Sequence, residues 1–101
     1  MPVDERPPID VAAAVGAPVA IELEALPGAA LVWAVADAAL PTGCTLTRRD
    51  NAPAGAGIGG PVRQRFELVC DAPGTHRLRF ELKRPWEDVV RAVQEVRVDV
   101  R

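Results

Sequence analysis

The sequence predicts an all-β fold, an immunoglobulin-like β-sandwich of six to eight short strands. Three observations carry this expectation. Apolar and polar residues alternate with a period of two in several separate stretches, the pattern of a half-buried strand. Ten prolines and eight glycines in 101 residues punctuate those stretches at short intervals, which suits short strands and turns better than long helices. No segment repeats another, and two stacked sheets are the simplest way for six or seven such strands to bury one face each.

The strands can be taken in chain order. Residues 1–9 read as an extended lead-in containing Pro7-Pro8, and residues 10–101 as the folded domain. Asp10 to Val15 is a short edge strand before Gly16. Val19, Ile21 and Leu23 alternate with Ala20, Glu22 and Glu24, giving one apolar and one wet face. Pro27-Gly28 breaks that run. Leu31, Trp33 and Val35 restart it with Val32 and Ala34 between them, which suggests a central strand covered on both sides, with Trp33 in the core, and a helix as the alternative for so alanine-rich a stretch. Cys44 to Arg48 is the next strand. Asp50 to Pro61, with four glycines, reads as a mobile loop.

Phe66, Leu68 and Cys70 alternate next, and Leu78, Phe80 and Leu82 follow among Arg77, Arg79, Glu81 and Lys83. Between them Asp71-Ala72-Pro73-Gly74 is a turn: proline presets one φ and glycine accepts a positive one. A hairpin from Arg65 to Lys83 is therefore expected. Arg77 and Arg79 with Glu67 and Glu81 then read as cross-strand ion pairs. Pro85 ends this strand. Glu87 to Val96 fits either a helix face or a loop followed by a strand, and the valine density from Val93 to Val100 favours the strand.

Length and composition set the remaining bounds. A chain of 101 residues makes one domain, and roughly two-thirds of its unfolded surface can be buried without disulfide staples. Apolar residues make up 49% and charged residues 26%, an ordinary globular balance. The net charge of -2 argues against nucleic-acid binding, which needs a basic surplus. Met1 to Asp10 has no apolar run of the signal-peptide kind, and Ala25 to Leu40 is too short and interrupted to span a bilayer. The expectation is a cytoplasmic protein as the sequence is written, with a periplasmic or secreted protein as the alternative, no membrane partner, and a monomer. Arginine outnumbers lysine and alanine is frequent, which points to a GC-rich bacterial source.

The chemistry-bearing residues are few. There is no serine or tyrosine, one histidine and two cysteines. That removes a serine nucleophile and speaks against a zinc site of several His and Cys ligands. Cys44 and Cys70 read as small buried hydrophobes, with a disulfide across the two sheets as the alternative. His76 reads as a solvated strand residue. No acid, base and nucleophile stand together, so no enzyme, cofactor or metal is expected.

Three pieces carry more specific information: Gly59-Gly60-Pro61-Val62-Arg63-Gln64-Arg65-Phe66, then Ala72-Pro73-Gly74-Thr75-His76, then Arg84-Pro85-Trp86-Glu87. In type and spacing they resemble the chagasin family, small proteins that inhibit papain-like cysteine proteases. The resemblance runs from about Val11 to the end of the chain, and it implies an immunoglobulin-like sandwich. It also implies a steric mechanism, with three loops at one end straddling the protease cleft. By resemblance those loops are Leu26, Pro27, Gly28, Ala29 and Ala30; Gly59, Gly60, Pro61 and Val62; and Arg84, Pro85 and Trp86 with Glu87.

The first loop departs from the family's Asn-Pro-Thr-Thr-Gly pattern, of which only Pro27 is kept. Leu26 replaces a turn-bracing Asn, Gly28 and Ala29 replace two hydroxyl donors, and Ala30 replaces a glycine free to take a positive φ. Val62 stands where glycine is usual. The implied function is inhibition of papain-like cysteine proteases, weakened or altered in target range. The alternative is an immunoglobulin-like interaction module that kept the sandwich and lost inhibition.

Overall fold

The computed structural model describes residues 4–25, 30–36, 40–53 and 62–101. Every regular element among them is a strand: β1 (Asp4–Glu5), β2 (Ile9–Ala13), β3 (Val19–Ala25), β4 (Val32–Val35), β5 (Cys44–Pro53), β6 (Val62–Cys70), β7 (Gly74–Lys83) and β8 (Ala92–Val100). They form two sheets. One has the order β1-β8-β7-β4 with β2 also on β8, and the other has the order β3-β6-β5. No helix among the described residues is long and apolar enough to cross a membrane. The expected all-β sandwich is present.

The alternation read from the sequence is the alternation of burial. Ile21, Leu23 and Ala25 on β3 and Phe66, Leu68 and Cys70 on β6 face inward from one sheet. Leu78, Phe80 and Leu82 on β7 and Val96, Val98 and Val100 on β8 face them from the other. The Phe66 and Phe80 rings meet across the interior with centroids 5.1 Å apart. Each large apolar side chain buried in this way contributes roughly 1.5–3 kcal/mol. β8 begins at Ala92, so the valine-rich segment after Trp86 is a loop followed by a strand, as the valine density favours.

The hairpin expected from Arg65 to Lys83 does not form. β6 and β7 lie in different sheets, and residues 71–73 carry the chain over the edge of the core from one to the other. A period of two tells which face of a strand is buried and not which sheet holds it, so a hairpin and an inter-sheet corner leave the same trace. The ion pairs change accordingly. Glu67 binds Arg49 of the neighbouring β5, with Arg49 Nη2 2.9 Å from Oε1, while Arg79 Nε lies 3.8 Å from Glu81 Oε2, two residues along the same strand and not across strands.

Three further expectations are corrected. β4 is not central: among the described residues it pairs only with β7 and stands at the sheet edge, with Ala34 exposed. Alanine counts as apolar in a pattern yet says little about burial. β5 runs on to Pro53 through a register shift between Arg49 and Ala52, so residues 50–53 of the segment read as a loop are strand, and residues 54–61 lie outside the described residues. Finally, Asp4–Glu5 inside the lead-in runs parallel to β8 at Ala92–Val93, ahead of β2 on the same strand. No apolar residue marks β1; backbone pairing alone makes it a strand.

Candidate functional site

The three segments singled out by resemblance are connections between strands, and their flanking strand ends lie at one pole. Ala25, the last residue of β3, pairs with Val62, the first of β6, and Val62 pairs with Pro53, the last of β5. In the other sheet Val32, the first of β4, pairs with Lys83, the last of β7, and Leu82 pairs with Ala92, the first of β8.

Two side chains tie these ends together across the interior. Gln64 on β6 is fully buried and clamps Trp33 on β4: its Oε1 accepts from Trp33 N at 2.5 Å and its Nε2 donates to Trp33 O at 3.1 Å. The Trp33 indole Nε1 donates to Glu24 O at 2.7 Å, reaching the end of β3. Arg6, from the lead-in, stacks its guanidinium 5.2 Å from the Trp33 ring centroid. Trp33 is 1% exposed, the core residue the sequence predicts.

The third connection is described in full. Arg84-Pro85-Trp86-Glu87 closes on itself as a turn, with Glu87 N donating to Arg84 O at 3.0 Å. Pro85 fixes φ within it. The Glu87 carboxylate takes Arg84 Nη1 at 3.1 Å and Arg91 Nη2 at 3.6 Å, and Arg91 N donates to Leu82 O at 2.7 Å. Half-buried pairs still open to water add modest stability each; together with the proline they hold one loop shape. At its tip Trp86 is 72% exposed, and Val89, 55% exposed, follows on the same loop. A large indole left mostly in water on a stiff turn is an apolar surface open to a partner.

Of the first connection Ala30 is described. It has φ +59°, the left-handed conformation for which the family uses glycine. Leu26, Pro27, Gly28 and Ala29, and Gly59, Gly60 and Pro61, lie outside the described residues. Val62 is half-buried at the start of β6.

Sequence reasoning missed the role of Gln64. Its signal was present: Gln64 shares the inward parity of Phe66 and Leu68, and a polar side chain at such a position must find buried partners.

At the opposite pole Cys44 and Cys70 face each other on adjacent strands of one sheet, not across the two sheets, with their sulfurs 2.6 Å apart. Burial, followed by the neighbouring Cys44 thiol and the Asp71 charge, pushes the Cys70 thiol up to about 12. His76, half-buried at the inward parity of Leu78, donates from Nε2 to the Ala72 carbonyl at 2.9 Å. One ligand atom from each of Cys44, Cys70 and His76 falls within 4.8 Å of the others. A period-two reading separated these three residues; the inter-sheet corner at 71–73 brings them together.

Solved structures share this architecture. One of PbICP-C in complex with falcipain-2 aligns at a TM-score of 0.73 and 18% identity, over 98% of this chain and 91% of that one. The cysteine protease inhibitor EhICP2 from Entamoeba histolytica aligns at 0.62 and 16%, over the whole of both chains. The solution structure of Amebosin aligns at 0.64 and 20%, also over the whole of both. At such identities the likeness is one of fold. No curated protein matches the sequence at a significant level. The family model described as chagasin family peptidase inhibitor I42 matches residues 12–100, from β2 to the last residue of β8. With nearly the whole chain matched, this protein belongs to the chagasin family of peptidase inhibitors.

Proposed function

We propose that this protein inhibits papain-like cysteine proteases by seating its β3–β4, β5–β6 and β7–β8 connections in the active-site cleft. The observation that carries the reading is Trp86: an exposed indole on a braced turn, at the pole from which the other two connections also leave. Both ends of each connection are anchored in sheets, so docking orders little chain and more of the contact energy survives as affinity. No covalent bond and no cofactor enter this mechanism. The loop residues that contact the protease are Leu26 to Ala30, Gly59 to Val62 and Arg84 to Trp86. The loss of the Thr-Thr pair and of the glycine in the first connection supports weaker binding or a shifted target range. The arginine-rich, alanine-rich composition supports a bacterial source.

The test is an inhibition titration against papain. Reversible, one-to-one inhibition with the inhibitor recovered uncleaved is expected. No inhibition at about 10 μM, which excludes binding tighter than about -7 kcal/mol, would mean that the fold serves another partner and that the sandwich is an interaction module.

A further inference from the structure

We propose that Cys44 and Cys70 form a cross-strand disulfide, made by exchange with a small-molecule disulfide such as oxidised glutathione. The two residues stand directly opposite each other on antiparallel β5 and β6. Asp71 N donates to Gly43 O at 2.8 Å, so the next pair along, Gly43 and Asp71, is the hydrogen-bonded one. Cys44 N instead donates to Pro41 O and Cys70 O accepts from Gly16 N. Cys44 and Cys70 therefore occupy a non-hydrogen-bonded site, where opposed Cα atoms approach to about 4.5 Å and side chains come closest. That spacing lies within the range a disulfide spans, roughly 4.4–6.8 Å. The sulfurs already touch.

The same atoms with His76 form a group that could hold a thiophilic metal ion. Sulfur spacing decides between the two. Two thiolates on one tetrahedral zinc at about 2.3 Å stand roughly 3.8 Å apart, well beyond the 2.6 Å between these sulfurs. The juxtaposition suits bond formation between the sulfurs rather than a shared ion.

The chemistry balances without any group held by the protein. Cys44, 9% exposed against 2% for Cys70, is the sulfur a reagent reaches first. Its thiolate attacks the small disulfide, forming a mixed disulfide and releasing one small thiolate. The Cys70 thiolate then attacks the Cys44 sulfur and expels the second. The protein dithiol loses two hydrogens and two electrons, and the small disulfide becomes two thiols. The bond would fasten the open end of the β5–β6 hairpin. Cys70 is eight residues along β6 from Val62 at the loop pole, roughly 27 Å at strand rise.

The test uses the whole reduced protein incubated with millimolar oxidised glutathione. Intact mass should fall by two hydrogens with no adduct retained. Peptide mapping should link Cys44 to Cys70, and Tm should rise by on the order of 10 °C and fall back on reduction. In C44A/C70A the redox sensitivity of Tm should vanish; the mass and mapping readouts on the unmodified chain stand whether or not that variant folds. Two thiols that remain titratable, a stable glutathione adduct, a disulfide-linked dimer, or a stoichiometric zinc ion protecting both thiols would each overturn the proposal. None of these readouts depends on a protease.

Discussion

Replacing Trp86 with alanine removes the largest exposed apolar group at the loop pole. An indole offers at most about 250 Å², and 72% of it is in water in the free protein, so up to about 180 Å² is available to a partner. At about 25 cal/mol per Å² this is roughly 4.5 kcal/mol if burial is complete. Immobilising the side chain and incomplete enclosure lower the figure. Central aromatic anchors cost about 2–4 kcal/mol on truncation. Trp86→Ala should therefore weaken inhibition of papain by roughly 30- to 700-fold. Its thermal unfolding should stay within about 0.5 kcal/mol of the parent, because most of the ring is already in water in the folded protein. The assay is a pair of inhibition constants beside a pair of melting curves. Constants within threefold of each other, with Tm unchanged, would show that this turn does not enter the cleft. A large drop in Tm would show that the indole caps its own domain.

Further predictions rest on other residues. Ala30 holds φ +59°, which costs an L-residue roughly 1–2 kcal/mol and glycine almost nothing. Glycine's greater freedom in the unfolded chain returns about 0.4–1 kcal/mol of that, so Ala30→Gly should stabilise the fold by about 0.5–1 kcal/mol in urea, and a loss would mean that the left-handed conformation is not strained there. Adding Thr at Gly28 and Ala29 in the same variant should tighten inhibition; an unchanged constant would mean that this connection does not touch the active site. Gln64→Leu leaves Trp33 N and O buried without partners, and should cost about 2–4 kcal/mol, read as a lowered urea midpoint. The reduced Cys70 thiol ionises near 9.0 in the unfolded chain and near 12 in the fold. Between those values the unfolded chain binds fewer protons, so stability present below about pH 9 is lost as pH rises toward 12, with a slope of at most about 1.4 kcal/mol per pH unit. Urea midpoints at about pH 8 and about pH 10 should diverge in the reduced parent and less so in Cys70→Ala.

Much of the fold was legible because period-two patterning is a direct image of a sheet with one wet face. β3, β7 and the valine-rich β8 show it plainly. What the pattern lacks is sheet membership. Phe66 and Phe80 carry the same signal, yet they meet from opposite sheets, so an inter-sheet corner looks like a hairpin in the pattern and Glu67 looks opposed to β7 when its neighbour is β5. β4 was misplaced because Val32 and Ala34 look apolar from both sides, although an edge position leaves Ala34 in water. β1 is invisible in principle, since Asp4–Glu5 become a strand through the backbone of β8 alone.

The site divided along the same line. The stiffness of the Trp86 turn follows from Pro85 and from the charges three and seven residues after Arg84, all readable in order along the chain. The Gln64 clamp on Trp33 and the grouping of Cys44, Cys70 and His76 join residues from different sheets or distant strands. They depend on a topology that local patterning does not contain.

Inhibition requires that one surface of the sandwich meet the protease. Hydrogen exchange of the backbone, followed by mass spectrometry with and without thiol-blocked papain, maps that surface without presupposing a mechanism. Slowed exchange confined to residues 26–30, 59–62 and 84–87 is the predicted footprint, with the pole around Cys44 and Gly74 unchanged. Protection at that far pole, or along an outer sheet face, while the three connections exchange as before, would contradict it.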